Sequence, residues 1–339
     1  MATAVDTDPI VIERKFVRKP PPLPFRVGIG LFAHGVLAPA NWLAANVAPA
    51  GRLMDRLMMR RKDSSNFDKK GFDGFTPGAQ DVFVPTFSKS GTNWMMQIAV
   101  QLAYQGRAEF EHIHELVPWP DMTRVPYAIP LKLADHWKTA PGRKRIIKSH
   151  LDWENLPYSP EARYLCVIRD PKDVFVSAYH FAKSIIGPGM PSPEVGFKLF
   201  AQERFFLGGS WVKNTAGYWA AAKQHPNVMI NSFKEMKRDL RGTVERVARF
   251  LSIDAPPEVI DRVTEKASFA HMKTIDRKFA MFQLIPWGAP TVMIREGKQG
   301  GSASLLTPAQ QREIDERFQA RLHELGSDFP YSEFCDIAK

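Results

Sequence analysis

Cysteine is nearly missing from this chain: 339 residues hold two, Cys166 and Cys335. A single pair cannot staple a fold of this length, and two thiols fall short of a structural zinc set. A disulfide framework and a zinc cluster are therefore excluded, and a reducing, cytoplasmic setting is expected. Acidic residues are the minority charge, 36 against 46 Lys and Arg for a net charge of +10, which favours an anionic ligand or surface. No internal repeat is present, so solenoids and propellers are excluded. From Val27 to Ala50 charge is absent altogether. A charge-free run of that length invites a membrane span, yet Pro39, Pro49, Asn41, Asn46, His34 and several glycines make a poor spanning helix, and no small-residue cleavage pattern marks a signal peptide. We expect residues 1–80 to form an N-terminal extension, either strand-free and packed on the rest of the chain or lying on a membrane surface or against a partner, with a true span as the remaining reading. The basic residues Arg56, Arg60, Arg61 and Lys62 suit an anionic membrane surface and solvent equally well.

What is present is concentrated between Asp81 and Tyr104, DVFVPTFSKSGTNWMMQIAVQLAY. Val82, Phe83 and Val84 make a short apolar run suited to a strand buried on both faces of a parallel sheet, and Pro85, which lacks a ladder donor, belongs near its C-terminal end. Ser88 to Thr92 turns the chain. Trp94, Met95, Ile98, Ala99 and Leu102 then recur on one helical face, and Gly106 fits a left-handed stop. A strand, a small-residue turn and a helix N-terminus together make an anion site, because unpaired N–H groups point at whatever lies in the turn, and Lys89 adds a full positive charge. The spacing is not that of an ATPase loop, since the lysine precedes the only glycine of the turn.

Two further stretches have the same form. Arg145 to Lys148 is an apolar strand ending in Ser149 and His150, which places a histidine at a strand tip, where ligands collect in open parallel sheets. Ala162 to Ile168 is another buried strand, followed at once by Arg169-Asp170-Pro171. Pro171 fits the first position of a helix capped by Asp170, with Ser177 two turns in. The fork of an arginine suits a phosphate, because it donates two parallel hydrogen bonds.

The run KSGTNW, the order Lys148-Ser149-His150 and the stretch RDPKDVFVSAYHF together resemble the motifs of the PAPS-dependent sulfotransferases of the cytosolic, small-molecule type. Three weak motifs in the correct order are jointly specific, and the resemblance spans Asp81 to Tyr331. It implies an α/β, three-layer, P-loop-like fold with a central, mainly parallel sheet flanked by helices, and a sulfotransferase domain over residues 81–335. It also implies transfer of a sulfuryl group from the co-substrate PAPS to a small-molecule alcohol, phenol or amine, with no metal and no nucleic-acid partner. His150 would be the general base, with Lys89 and Lys148 offsetting charge on the leaving group. Lys89, Ser90, Gly91, Thr92, Asn93 and Trp94 would wrap the 5′-phosphosulfate and face the adenine. Arg169 and Ser177 would hold the 3′-phosphate. Phe233, Ser268 and Phe269 would lie near the adenine, and Arg295, Glu296 and Gly297 would close over the 3′-phosphate. Ser88, Asn93 and Phe233 depart from the residues usual in the family, and Glu296 stands where lysine is usual, which makes Lys298 the substitute charge.

The remaining chain reads as scaffold. Pro118-Trp119-Pro120, Tyr127 and Trp137 are dense enough in rings to line an apolar acceptor pocket. Ile185 to Pro193 is expected to be a mobile surface loop or lid. Phe197–Phe206, Ser210–Lys223, Lys234–Leu251 and Thr307–Leu325 are expected to be helices, and Val228–Ile230 a strand. No interface motif is visible, and a homodimer remains open. Two other function classes compete: a P-loop phosphotransferase, in which Asp170 would serve as the metal-binding aspartate, and a membrane-associated nucleotide-binding protein without turnover.

Overall fold

The computed structural model describes residues 7–47, 67–122, 127–204, 208–295 and 301–338. Two compact units interleave along the chain. The first comprises Met1–Arg18, Phe67–Arg169 and Gly217–Phe279; the second comprises Lys19–Asn66, Asp170–Ala216 and Ala280–Lys339.

The first unit is α/β. Strands β2 (Asp81–Pro85), β4 (Arg145–Ser149), β5 (Arg163–Ile168) and β6 (Val228–Ser232) form a parallel sheet in the order β4-β2-β5-β6. The apolar run Val82-Phe83-Val84 is fully buried at its centre, and the Phe83 ring stacks on Tyr164 of β5 at 5.0 Å. Each fully buried side chain of this kind contributes about 1.5–3 kcal/mol. The β2 strand ends at Pro85, paired with Ser149, so the missing donor falls where pairing stops. Helix α3 (Thr92–Ala103) follows and packs on β2, β4 and β5. Gly106, with φ +73°, donates its N–H to Gln101 O and closes the end of that helix.

Residues 8–18 belong to this unit too and are not strand-free. Strand β1 (Ile10–Val11) pairs in parallel with β3 (Ala108–Glu109). Arg14 and Lys15 are ion-paired to Glu115 and Asp135, so this segment pairs its backbone and its charges at once.

In the second unit the charge-free stretch is helical as far as Asn46: α1 (Leu23–Phe32), a π turn (Ala33–Leu37) and α2 (Ala38–Asn46). The wide turn shifts the hydrogen-bond ladder just before Pro39, which is how a proline sits here without ending the helix. The expected lid at Ile185–Pro193 is instead structured. Helix α4 (Pro171–Ile186) runs into a 3-10 turn (Gly187–Gly189), and Gly189 and the following Met190 are buried. A Cβ on Gly189 would lie within 3.4 Å of Ile186, Leu37 and Ala33, so close packing, which sequence reading took for a mobile tip, accounts for this glycine. Two helix boundaries differ as well. The helix expected from Phe197 is Pro193–Ala201, capped by Ser192, and its expected end near Phe206 lies outside the described residues. Lys234–Leu251 is two helices, Phe233–Arg238 and Leu240–Phe250, because Asp239 breaks the first and caps the second. A buried ion pair of this unit, Lys172 with Asp315, is completed by the Tyr331 hydroxyl and the Ala338 N–H, both donating to Asp315.

Candidate functional site

Four parallel strands run in the same direction, and each hands its next residues to the same edge. After β2 comes the Thr86–Thr92 turn, after β4 His150, after β5 Arg169 and after β6 Phe233. The chain leaves β2 for β4 on one side and returns to β5 on the other, so β2 lies at the switch point where open α/β sheets bind ligands.

The turn is strained toward a cradle. Lys89 has φ +68° and Gly91 φ +113°, two successive departures into the left-handed region that fold the main chain around its own N–H groups. A Cβ on Gly91 would come within 3.0 Å of the Phe233 ring, so only glycine fits. Gly91 is the N-cap of α3 and supplies no side-chain cap, which leaves the helix N-terminus open to a ligand. The buried Ser90 Oγ has no hydrogen-bond partner among the described residues, while the hydroxyls of Thr86 and Thr92 bond each other. A buried, unpaired hydroxyl beside an open helix end is what a phosphate or sulfate oxygen would satisfy.

Arg169 joins this turn from β5. It donates to Lys89 O at 3.1 Å, and its guanidinium lies 4.4 Å from the centroid of the Phe233 ring. Trp94 meets the same ring edge-on at 5.4 Å and donates its indole N–H to Ala267 O. Next to Ala267, Ser268 caps the short helix Phe269–Thr274, and Phe269 is exposed. Half-buried Lys89 is pushed down to about 8 by desolvation and by Arg169; a polyanion would reverse both effects.

On the β4 side, His150 and Lys148 alternate onto one face of the strand tip. His150 Nδ1 lies 2.6 Å from Thr86 O. A carbonyl can only accept, so Nδ1 carries the proton and Nε2 is left with its lone pair. Burial, then Lys148, holds the imidazole pKa well below its ordinary value, which keeps the ring neutral. Lys148 Nζ sits 3.3 Å from the centroid of Trp119, and burial drops its pKa to about 7.

Sequence reading missed Asp121, Thr86 and Phe67. Asp121 is fully buried; its Oδ2 accepts from the His150 N–H at 2.7 Å, its Oδ1 has no partner among the described residues, and burial raises its pKa to about 7. The Phe67 ring lies 4.9 Å from His150 and Trp119 5.3 Å. A Cβ on Gly71 would collide with Pro120 O, which is how residues 67–75 lie close to Trp119. An acid just after a Pro-Trp-Pro turn was the available signal for Asp121, whereas Phe67 lies in a stretch without a pattern. The rings of Trp119 and Tyr127 form a packed cluster with His112 and His114, so the aromatic wall expected between Arg107 and Lys144 flanks the histidine.

Ser177 and Arg295 belong to the second unit. Glu296, Gly297 and Lys298 lie outside the described residues. Asp170 is committed elsewhere: Oδ1 takes the Lys172 N–H and Oδ2 the Asp336 N–H. That leaves it little capacity to act as the metal-binding aspartate of a phosphotransferase.

Comparison with known proteins agrees with the geometry. The family profile described as Sulfotransferase domain matches residues 79–326. Sulfotransferase 2A1 of Macaca fascicularis is 30% identical over 274 residues, covering 78% of this chain and 92% of the relative. The amine sulfotransferase of Oryctolagus cuniculus is 26% identical over 273 residues, covering 78% of this chain and 87% of the relative. Among solved structures, retinol dehydratase in complex with androsterone and the inactive cofactor PAP matches with TM-score 0.63 at 19% identity, covering 78% of this chain and 87% of that one, a likeness of fold. With the matched domain spanning well over half its length, the chain belongs to the sulfotransferase family and is a sulfotransferase.

Proposed function

We propose that the chain transfers the sulfuryl group of PAPS to a hydroxyl or amine of a small-molecule acceptor, with His150 as the general base. The observation that carries this reading is the His150 tautomer: Nδ1 is tied to Thr86 O, so Nε2 is the atom left to take the acceptor's proton. As that proton moves to Nε2, the acceptor oxygen or nitrogen bonds to sulfur and the bond from sulfur to the 5′-phosphate oxygen breaks. Charge then grows on that oxygen, and Lys89 and Lys148 are assigned to offset it. Both lysines sit at depressed pKa values; the approach of an anion restores their protons, so they are most cationic when the donor is bound. Ser90, Gly91, Thr92 and Asn93 would hold the 5′ side, where the orphaned Ser90 hydroxyl and the open end of α3 fit an anionic oxygen. Trp94, Phe233, Ser268 and Phe269 would face the adenine. Arg169 would grip the 3′-phosphate, with Ser177, Arg295, Glu296 and Gly297 carried over from the family motifs.

The acceptor class is assigned from relatives whose names are hydroxysteroid and amine sulfotransferases and from the aromatic wall beside His150. We place the sulfotransferase domain at residues 81–335 and give the N-terminal extension a peripheral membrane contact apart from catalysis. Incubation with PAPS and a panel of hydroxysteroids, phenols and aliphatic amines, read by mass spectrometry, should yield at least one sulfated product. PAP binding with no product on any acceptor would end the proposal in favour of an inert nucleotide-binding protein.

A further inference from the structure

We infer that the helical segment from Leu23 to Asn46 docks lengthwise on an anionic bilayer surface. This names the lipid chemistry of the membrane contact proposed above and is independent of sulfuryl transfer, so a vesicle assay and the sulfation panel fail separately.

The segment inverts the usual pattern of a surface helix. Phe25, Phe32, Val36 and Leu43 recur at intervals of seven, four and seven residues, which puts them on one face, with Leu31 and Trp42 along its flank. All six are 46–63% exposed. No Asp, Glu, Lys or Arg lies on that face. The opposite face is the packed one. Gly30 and Ala33 are buried, and a Cβ on Gly30 would meet the Trp287 ring at 2.5 Å. Arg26 donates to Gln283 O at 2.9 Å, and His34 lies against Trp287. A helix of soluble surface type would turn charge outward; this one turns rings and aliphatics outward over several turns, beyond the scattered apolar exposure of ordinary surfaces.

That packing decides how the segment meets lipid. The stretch Leu23–Ala44 is long and apolar enough to cross a bilayer, but a spanning helix would have to shed the side committed to Trp287, Gly189 and Gln283. It would also carry Arg26, in its first turn, into hydrocarbon. A helix held along one side and apolar along the other lies in the interface instead.

Charge selects the lipid. From Arg14 to Met54 the sequence contains no acidic residue, while it contains Arg14, Lys15, Arg18, Lys19, Arg26 and Arg52. Arg14 and Lys15 are taken by carboxylates, which leaves exposed Lys19 just ahead of the helix, with half-buried Arg26 adding positive charge in its first turn. Anionic headgroups complement that sign. A second copy of the chain would bring the same positive charge against itself, which is why we assign the face to lipid.

The test is co-sedimentation of the full chain with phosphatidylcholine vesicles, with and without phosphatidylglycerol. The expected result is binding to the phosphatidylglycerol vesicles that weakens with salt, and at least a tenfold loss in Phe32→Glu/Val36→Glu. Both substituted residues are exposed, so the variant should melt with the wild type; Lys19→Glu, remote from the packed face, provides a second variant that should weaken binding to the anionic vesicles alone. Absence of sedimentation with phosphatidylglycerol vesicles overturns the inference. So does a wild-type dimer in sedimentation velocity that Phe32→Glu/Val36→Glu converts to monomer while vesicle binding is unchanged, because the face would then be a seam between copies.

Discussion

The carboxyl edge of the sheet and the helical segment Leu23–Asn46 break the rule of apolar inside and polar outside in opposite directions. At the sheet edge Lys148, His150, Asp121 and Ser90 are buried; on the helix Phe25, Phe32 and Trp42 are exposed. Neither arrangement is good for folding alone. A buried charge loses hydration it can recover only from a partner, and an exposed apolar face forfeits the burial that drives collapse. The two departures point to ligands of opposite character: one small and anionic, able to enter between strand tips, the other extended and apolar. The partial occupancy of the polar groups sharpens this. Lys148 has an aromatic ring and His150 a carbonyl, but Ser90 Oγ and Asp121 Oδ1 have nothing among the described residues.

The largest effect should come from the one group at the edge that is assigned to proton transfer. His150→Ala is expected to lower sulfation at saturating PAPS by about 10²–10⁴-fold, with PAP affinity measured by calorimetry staying within a few-fold. Equal losses in turnover and PAP binding would make His150 a scaffold residue and remove the contrast between a reactive edge and a docking face. Arg169→Ala comes next. Losing one charge-assisted contact should raise the KM for PAPS by roughly ten- to a hundredfold while leaving the pH profile of turnover unchanged. Arg169→Lys should recover little of it, since an ammonium cannot both reach Lys89 O and lie over Phe233 as a planar fork does.

Much of the edge was readable because its residues lie at element boundaries, where sequence is least ambiguous. Pro85 and Gly91 marked where β2 stops and α3 starts, and Asp170-Pro171 where β5 gives way to α4. His150 was placed by the apolar run before it. Asp121 was not found, because its role depends on a hydrogen bond to a backbone N–H 29 residues away, and no local pattern encodes that. The helix from Leu23 was only partly legible for a related reason: Pro39 argues locally against an uninterrupted spanning helix, and the π turn that accommodates it is a property of the folded segment. Gly189 shows the limit most plainly, since a glycine that gives a chain freedom and a glycine that permits close packing are spelled alike.

Asp121 gives the next prediction, a change in pH dependence of stability. Its folded pKa of about 7 is above the ordinary carboxylate value, so between about pH 4 and 7 the folded protein keeps a proton that the unfolded chain releases. Stability from this group is therefore present at low pH and lost as pH rises through that window, by at most about 1.4 kcal/mol per pH unit. Asp121→Asn, which cannot ionise, should flatten that limb in thermal melts of the ligand-free protein; an unchanged slope would mean that Asp121 is already ionised and paired. Lys148 and Lys89 act at higher pH and with the opposite sign. With pKa values of about 7 and about 8, both are partly neutral at pH 8, and PAP should restore their charge. Calorimetry at pH 8 in buffers of different ionisation enthalpy should then record uptake of about one proton on binding.

The smallest expected effect separates a ligand-facing hydroxyl from a structural one. Ser90 Oγ is buried without a partner, so Ser90→Ala removes a group that the ligand-free fold has desolvated without return. The variant should melt at or slightly above the wild-type temperature. If the same oxygen bonds an anionic oxygen of the donor, PAP should bind a few-fold to about tenfold more weakly, the value of one hydrogen bond to a charged acceptor. These two readouts move in opposite directions only when the hydroxyl is kept for a ligand. A lower melting temperature with unchanged PAP affinity would assign Ser90 to the fold, and the buried polarity of the sheet edge would lose its clearest sign of an anion-binding role.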